Sequence, residues 1–268
     1  MLRIEDVFVV FCAGTPLERI ALRGVNFSLN DGCVMSVFGN NGSGKSTLMR
    51  FLAGHIFSNF GKIRYDKADI SGQSLSERSK LFSSIFYDQD IGSAGNLTVA
   101  ENLAIASMHH QERSLLYQAF DPEMKEVFYE QLRELDFMRM EMLIDEKAYK
   151  LSKPQRHVLS MLIAIIKESK ILLIDEHTRG LDKESSELLL DVTRKIIRSK
   201  KMMAVIAVNE PNFALDVSDK ILIMNHGEVA LDVNRGLNSE YDKKICDAIS
   251  AFDVTNIAKL RNCFHDLV

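Results

Sequence analysis

A glycine-rich segment near residue 40 constrains the fold of this 268-residue chain more than any other stretch. The segment fits the phosphate-binding loop pattern G-x-x-x-x-G-K-[ST] without a mismatch, and its residues are Gly39, Asn40, Asn41, Gly42, Ser43, Gly44, Lys45, Ser46 and Thr47. The apolar run 34–38 before it is typical of a buried strand, and residues 48–53 after it are typical of a helix that ends at Gly54. A loop in that position can surround a polyphosphate with backbone N–H groups. The segment therefore predicts a nucleoside triphosphate site rather than a glycine-rich turn that binds nothing.

Two side chains of this loop have predictable tasks. We expect Lys45 to reach the β- and γ-phosphates, and the Ser46 hydroxyl to bind Mg²⁺. The helix that follows adds partial positive charge at its N-terminus, which favours an anion there.

Composition excludes several classes of protein. Hydrophobic residues make up 46% of the chain and charged residues 26%, as in ordinary globular proteins, and the net charge of −4 gives no sign of nucleic-acid binding. We expect no signal peptide and no membrane span, because the N-terminus is polar and no apolar run approaches about 20 residues. The four cysteines are scattered without metal-binding spacing and are typical of reduced cytosolic thiols. The length fits one domain with a subdomain.

The first thirty residues indicate two strands, 2–11 and 20–29, separated by a turn at 13–16. An aromatic side chain upstream of a phosphate loop can stack on a nucleotide base, and Phe11 is the candidate. The alternative is that Phe8 and Phe11 are both core residues.

An acidic motif at the end of an apolar run comes later in the chain. Residues 171–174 are apolar and end in Asp175 and Glu176. A buried parallel strand that delivers a carboxylate at its C-terminal end is suited to hold Mg²⁺, so we expect Asp175 to bind the metal directly or through water. The side chain of Glu176, one residue further along, points in a different direction from that of Asp175 and is suited to polarise an attacking water. A strand that merely ends in a charged turn is the alternative.

Between these elements the alternation of strands and helices is interrupted. A helical region is expected from Leu97 to about Met142, with Thr98 and Glu101 at capping-box spacing. A further apolar helix is expected to begin after Ser152 as N-cap, with Pro154 in its first turn. These patterns predict a helical subdomain over about residues 93–152.

The order of these motifs resembles the ATP-binding subunit of an ABC transporter over nearly the whole chain. The resemblance implies an α/β P-loop NTPase fold: a cassette over 1–235 with a parallel-sheet core, an antiparallel β layer and the helical subdomain. It implies ATP and Mg²⁺ as cofactors and Gln89 as a further metal and nucleotide ligand. It also implies that Ser152 and Gln155 contact the nucleotide of an opposite subunit, and that Asp182 contacts that subunit.

The same resemblance implies partners. They are a second copy or a related cassette, a transmembrane permease and an extracytoplasmic solute-binding protein, with the chain at the cytoplasmic face of the inner membrane and no nucleic acid bound. The stretches 11–16, 96–99 and 175–178 are similar to a bacterial importer group for amino-acid-like solutes such as tryptophan or tyrosine. The tail 236–268 is expected to pack on the cassette as helical pieces.

Three positions depart from the family pattern. The signature reads Leu151-Ser152-Lys153-Pro154-Gln155 where L-S-G-G-Q is usual, and Pro154 removes a backbone N–H. Asn209 stands where the family has the switch histidine, and it cannot carry a proton. An ungapped match places Tyr87, and not Gln89, at the family's glutamine position. These departures leave an alternative open, namely a nucleotide-dependent regulatory or structural clamp with weak or no hydrolysis.

Overall fold

The computed structural model describes residues 1–86, 93–108, 122–166, 169–176, 178, 180–200, 202–208 and 211–234. The described residues form two sheets with helices against them. Gln89, Asn209, the alternative Tyr87 and the tail 236–268 lie outside this part of the chain. The division into a cassette over 1–235 and a tail therefore stays a prediction.

The larger sheet has six strands in the order β10-β9-β3-β8-β7-β6. Five of them run parallel and β10 is an antiparallel edge strand. The strands are β3 (Val34–Phe38), β6 (Phe82–Ile85), β7 (Ile171–Asp175), β8 (Met203–Ala207), β9 (Lys220–Asn225) and β10 (Glu228–Asn234). Every residue of β3, β7 and β8 is buried, as expected of central parallel strands that are covered on both faces.

The smaller sheet is antiparallel, with the order β2-β1-β4-β5. Its strands are β1 (Leu2–Phe11), β2 (Arg19–Leu29), β4 (Phe60–Tyr65) and β5 (Ala68–Asp69). The strands predicted at 2–11 and 20–29 are confirmed, and this sheet is the expected antiparallel layer.

Seven helices are described: α1 (Lys45–Ala53), α2 (Leu75–Arg78), α3 (Val99–Ser107), α4 (Pro122–Leu135), α5 (Lys153–Ile166), α6 (Lys183–Lys200) and α7 (Pro211–Val217). Two 3-10 turns lie at Met140–Leu143 and Ala148–Lys150. The predicted end of α1 at Gly54 is confirmed, because this glycine adopts φ 87° as the C-cap. The capping box of Thr98 and Glu101 at the start of α3 is also confirmed.

Alternate residues of the parallel strands enter two separate cores. Leu172 and Ile174 pack among helices α3 to α6, whereas Ile171 and Leu173 pack with α1 and the antiparallel sheet. The parallel sheet is therefore a middle layer, and its loops at the carboxyl ends of β3 and β7 meet at one edge. In the described part of the chain, no helix is long and apolar enough to cross a membrane.

Candidate nucleotide site

The loop Gly39–Thr47 joins β3 to α1, and its backbone can be formed only with glycine at two positions. Gly39 adopts φ 151°, and a Cβ there would lie 2.3 Å from the carbonyl oxygen of Met224. Gly44 adopts φ 106°, and its Cβ would lie 2.9 Å from the carbonyl oxygen of Ala21. The sequence pattern therefore reflects steric necessity, because β2 and the end of β9 pack directly against the loop.

Two features of the loop are suited to an anion. Gly44 is the N-cap of α1 and supplies no side-chain hydrogen bond, so the first-turn N–H groups lack the side-chain acceptor that Thr98 supplies to α3. The buried Ser43 Oγ has no hydrogen-bond partner among the described residues. Buried polar atoms are normally paired, so an unpaired hydroxyl beside an uncapped helix start fits a ligand with several acceptor oxygens.

Lys45 is the central cation of the site. Its side chain is only 4% exposed. Its Nζ donates to the carbonyl oxygens of Gly39 at 2.6 Å and Asn40 at 3.4 Å, and it lies 3.4 Å from Glu176 Oε1. A buried ammonium that is held by the loop and by one carboxylate places a full positive charge directly against the phosphate loop.

The acidic end of β7 meets the start of α1. The Ser46 hydroxyl donates to Asp175 Oδ1 at 3.3 Å, although the two residues are far apart in sequence. Burial raises the pKa of the Asp175 carboxyl, and the hydrogen bond from Ser46 opposes that rise. A hydroxyl and a carboxylate at this distance are the pair of oxygens expected for a Mg²⁺ site.

Glu176 is held in an unusual backbone conformation next to this pair. It adopts φ 44°, and its N–H donates to the carbonyl oxygen of Ala207 at 3.1 Å. A positive φ is uncommon for a residue other than glycine and is often found at functional sites. This turn directs the side chain away from the strand and toward Lys45.

An open cavity of about 690 Å³ lies over the loop. Residues 40–42 and 44–47 line it, together with Glu176 and the end of the antiparallel sheet. Phe11 is 39% exposed and lines the cavity, so it is not a core residue. Its role as a stacking surface for the base stays a prediction.

The three residues predicted to serve an opposite subunit do not line this cavity. Ser152 and Gln155 lie at the start of α5, where Gln155 Oε1 accepts from the Ser152 N–H at 2.9 Å. Asp182 caps α6 by accepting from the Ser185 N–H at 2.9 Å and from its hydroxyl, and these bonds hold the pKa of the Asp182 carboxyl below its usual range. Within one chain, the signature segment therefore does not reach the cavity over the phosphate loop.

Sequence reasoning missed six other residues of the cavity wall, which are Glu18, Arg19, Ile20, Ala21, Arg23 and His226. Arg19 pairs with Phe11 across β1 and β2, so the register of that hairpin was the available signal. His226 lies in the turn between β9 and β10, far from the loop in sequence, and no motif marks it. The neighbouring Gly227 N–H donates to the carbonyl oxygen of Ser43 at 2.9 Å, so this turn supports the loop.

Comparison with known proteins decides the family. The family model described as ABC transporter matches residues 22–179. A tyrosine transport ATP-binding protein of Clostridioides difficile is 32% identical over 233 residues, which are 87% of this chain and 92% of that protein. The chain belongs to the ABC transporter family as an ATP-binding subunit. It is an ATPase, and it binds ATP.

More distant relatives of this ABC subunit include several import proteins. A phosphonates import ATP-binding protein of Fusobacterium nucleatum is 26% identical over 79% of this chain and 85% of its own length. Among solved structures, a dimeric ATP-binding cassette with ADP and Pi superposes with a TM-score of 0.73 at 21% identity, over 88% of this chain and all of that one. That likeness shows the fold, which is the α/β P-loop cassette expected from the sequence.

Proposed function

We propose that this ABC ATPase subunit drives a bacterial importer for a small amino-acid-like solute and hydrolyses ATP as a dimer. The observation that carries the proposal is the meeting of Lys45 and Ser46 with Asp175 and Glu176 at one edge of the parallel sheet. The importer assignment is supported by the tyrosine transport relative, which matches over nearly its whole length.

In the proposed site, Lys45 and the N–H groups at the start of α1 bind the phosphates. Ser46 and Asp175 hold Mg²⁺, which supplies charge neutralisation and a fixed orientation of the phosphate oxygens. The described residues contain no cluster of three or more His, Cys, Asp or Glu able to hold a metal. Two protein oxygens suffice for this ion, because Mg²⁺ usually takes its remaining ligands from phosphate and water. Gln89 is proposed as a further ligand.

Glu176 is the proposed general base. Its carboxylate is only 7% exposed and lies 3.4 Å from Lys45 Nζ, so it is directly adjacent to the cation proposed to bind phosphate. A carboxylate fixed at this point can orient a water and accept its proton. Asn209 is proposed to hydrogen-bond the phosphate in place of a histidine, and Phe11 to stack on the base.

The signature is proposed to act in trans. Ser152 is exposed at the start of α5, and neither it nor Gln155 lines the chain's own cavity. A second subunit placed against this surface would receive them, and Asp182 would contact that subunit. The proposed transporter also contains a transmembrane permease and an extracytoplasmic solute-binding protein, and this chain is a peripheral subunit at the cytoplasmic face of the membrane.

Uptake by living cells tests the importer assignment. We expect cells whose own copy of this chain carries Lys45→Ala to lose high-affinity uptake of labelled tyrosine or tryptophan, while uptake of an unrelated sugar stays normal. Cells with Lys62→Ala, which removes an exposed lysine from β4, serve as the matched control. Unchanged uptake of a full panel of labelled amino acids in the Lys45→Ala cells would contradict the assignment.

A further inference from the structure

An arginine outside the loop motif faces the phosphate loop from the antiparallel sheet. Arg19 is the first residue of β2 and pairs directly with Phe11, the last residue of β1. Directly opposed residues in an antiparallel pair project from the same face of the sheet. Both side chains line the cavity, so the predicted stacking residue and an arginine stand side by side on its wall.

The guanidinium of Arg19 lies over the middle of the loop. Its Nη2 is 3.8 Å from the position that a Cβ would take on Gly42, and chain neighbours aside, no other heavy atom of the described residues lies within 4 Å of that position. Gly42 lines the same cavity and adopts φ 81°. The arginine therefore reaches the part of the loop that is open toward the cavity.

The two acids that line the same cavity, Glu18 and Glu176, have partners other than Arg19. The carboxylate of Glu18 accepts from the Gly14 N–H at 2.7 Å, and that of Glu176 lies against Lys45. Among the ion pairs of the described residues, none includes Arg19. A guanidinium presents five donors in a planar fork that matches phosphate oxygens.

We propose that Arg19 is a second cationic ligand of the nucleotide's polyphosphate chain, which it contacts from the antiparallel sheet. The inference rests on the proposed ATP site and adds a residue that lies outside the motif. Arg19 would hold the phosphates against the loop, and Phe11 would contact the base at the outer end of the same wall. The site then binds polyphosphate through the antiparallel sheet as well as through α1.

Binding of ATP and of inorganic tripolyphosphate, measured by isothermal titration calorimetry in Mg²⁺ buffer, tests this assignment without recourse to turnover. We expect Arg19→Gln to lower the affinity for both ligands by about tenfold to a hundredfold, because a charge-assisted hydrogen bond is lost. Arg19→Lys should retain part of the affinity, since the charge remains but the fork does not. Arg3→Gln is the matched control, since Arg3 is an exposed arginine of β1 about 26 Å along the strand from Phe11.

The two ligands separate the possible roles. If Arg19→Gln weakens ATP but leaves tripolyphosphate unchanged, the arginine contacts the base or ribose and the proposal is overturned. Equal affinities of the wild type and Arg19→Gln for both ligands overturn it as well. If the wild-type protein binds neither ligand, the ATP site itself is wrong, which is a different failure from loss of the Arg19 contribution.

Discussion

Lys45 is a buried side chain whose contacts are all with the polar groups of the site. It is buried, yet its ammonium contacts two loop carbonyls and Glu176 rather than apolar side chains. It is also the first residue of α1, where alanine is an equally good helix former. The positive charge therefore lies among polar groups of the site, where a phosphate can also reach it, and outside the apolar core.

Lys45→Ala should abolish measurable ATP binding, with a loss of at least a hundredfold, and should leave the protein folded with a reduced free energy of unfolding, because Glu176 loses a buried cationic partner. A fluorescent nucleotide analogue measures the first quantity and urea denaturation the second. The exposed Lys62→Ala variant controls for a general change of charge. Wild-type affinity in Lys45→Ala would refute the assignment of the phosphate loop.

The residues predictable from sequence were those whose spacing along the chain carries the chemistry. The loop directly follows β3, Asp175 ends β7 and Glu176 comes next, so their positions could be placed on the sheet edge in advance. Arg19 was signalled only by the register of its hairpin with Phe11. His226 could not be placed, because it follows β9, whose pairing with β3 joins segments far apart in sequence. Arg78 was also missed, since an arginine in a short polar helix normally faces solvent.

At the scale of elements, Arg78 of α2 joins three segments. Its guanidinium is fully buried and donates to the carbonyl oxygens of Phe51 and Leu52 at the C-terminal end of α1, and to those of Ile70 and Ser71 after β5. Burial lowers its pKa to about 10, so it stays charged at neutral pH. A cation at this end of α1 complements the helix dipole and fixes the helix whose other end forms the loop.

Arg78→Gln should therefore destabilise the protein by about 2–4 kcal/mol, because several buried carbonyl groups lose their donor. Urea denaturation measures the change, with Arg3→Gln as an exposed control. A loss below about 0.5 kcal/mol would show that water or rearrangement replaces the guanidinium, and that α1 does not depend on it.

Helix α5 carries a buried histidine that gives the fold a pH dependence. Burial, with Lys153 and Arg156 nearby, lowers the pKa of His157 to about 4. His157 binds a proton near pH 6.5 in the unfolded chain but only near pH 4 in the folded chain. Its contribution to the free energy of unfolding is therefore fully present above pH 6.5 and is lost as the pH falls toward 4. The loss amounts to about 3 kcal/mol for the full shift.

His157→Gln should flatten this part of the stability profile, so that the wild type and the variant converge as the pH falls from 7 to 4. Urea denaturation at several pH values measures the difference between them, which cancels the contribution of the carboxyl groups. Parallel profiles would show that His157 titrates normally in the folded protein.

Helices α1, α3 and α5 and strands β1, β2, β3 and β7 could be predicted in outline because their apolar patterns and caps are local signals. The hairpin of β9 and β10 carried no motif, although it supports the loop through Gly227 and Ser43. Its importance comes from contacts between residues far apart in sequence, which periodicity does not report.

At the scale of the whole molecule, the unusual signature is the feature most relevant to turnover. Pro154 is buried in the first turn of α5, and the hydrogen bond from the Ser152 N–H to Gln155 is retained. The helix start is therefore formed, and in the proposed dimer the change would be confined to the donors that it offers a partner's phosphate. In a homodimer, both sites would combine this change with Asn209.

We expect the isolated protein to hydrolyse ATP slowly, and Lys153→Gly combined with Pro154→Gly to raise the rate. Restoring a contact to phosphate should lower the activation free energy of hydrolysis by about 1.5–3 kcal/mol, which raises the rate tenfold to a hundredfold. Adding Asn209→His should raise the rate further. Phosphate release at saturating Mg-ATP compares the three proteins. A wild-type turnover near 10 per second that the reversions leave unchanged would show that these substitutions are neutral.

The most direct test of the account is a comparison of wild type with Glu176→Gln in sedimentation velocity and phosphate release, both with Mg-ATP. The account predicts that Glu176→Gln binds ATP, forms a stable dimer and releases no phosphate, because the ligand Asp175 remains while the group that polarises water is lost. The wild type should release phosphate and return to monomer. Equal phosphate release by the two proteins, with both monomeric throughout, would contradict both the role of Glu176 and the ATP-dependent dimer.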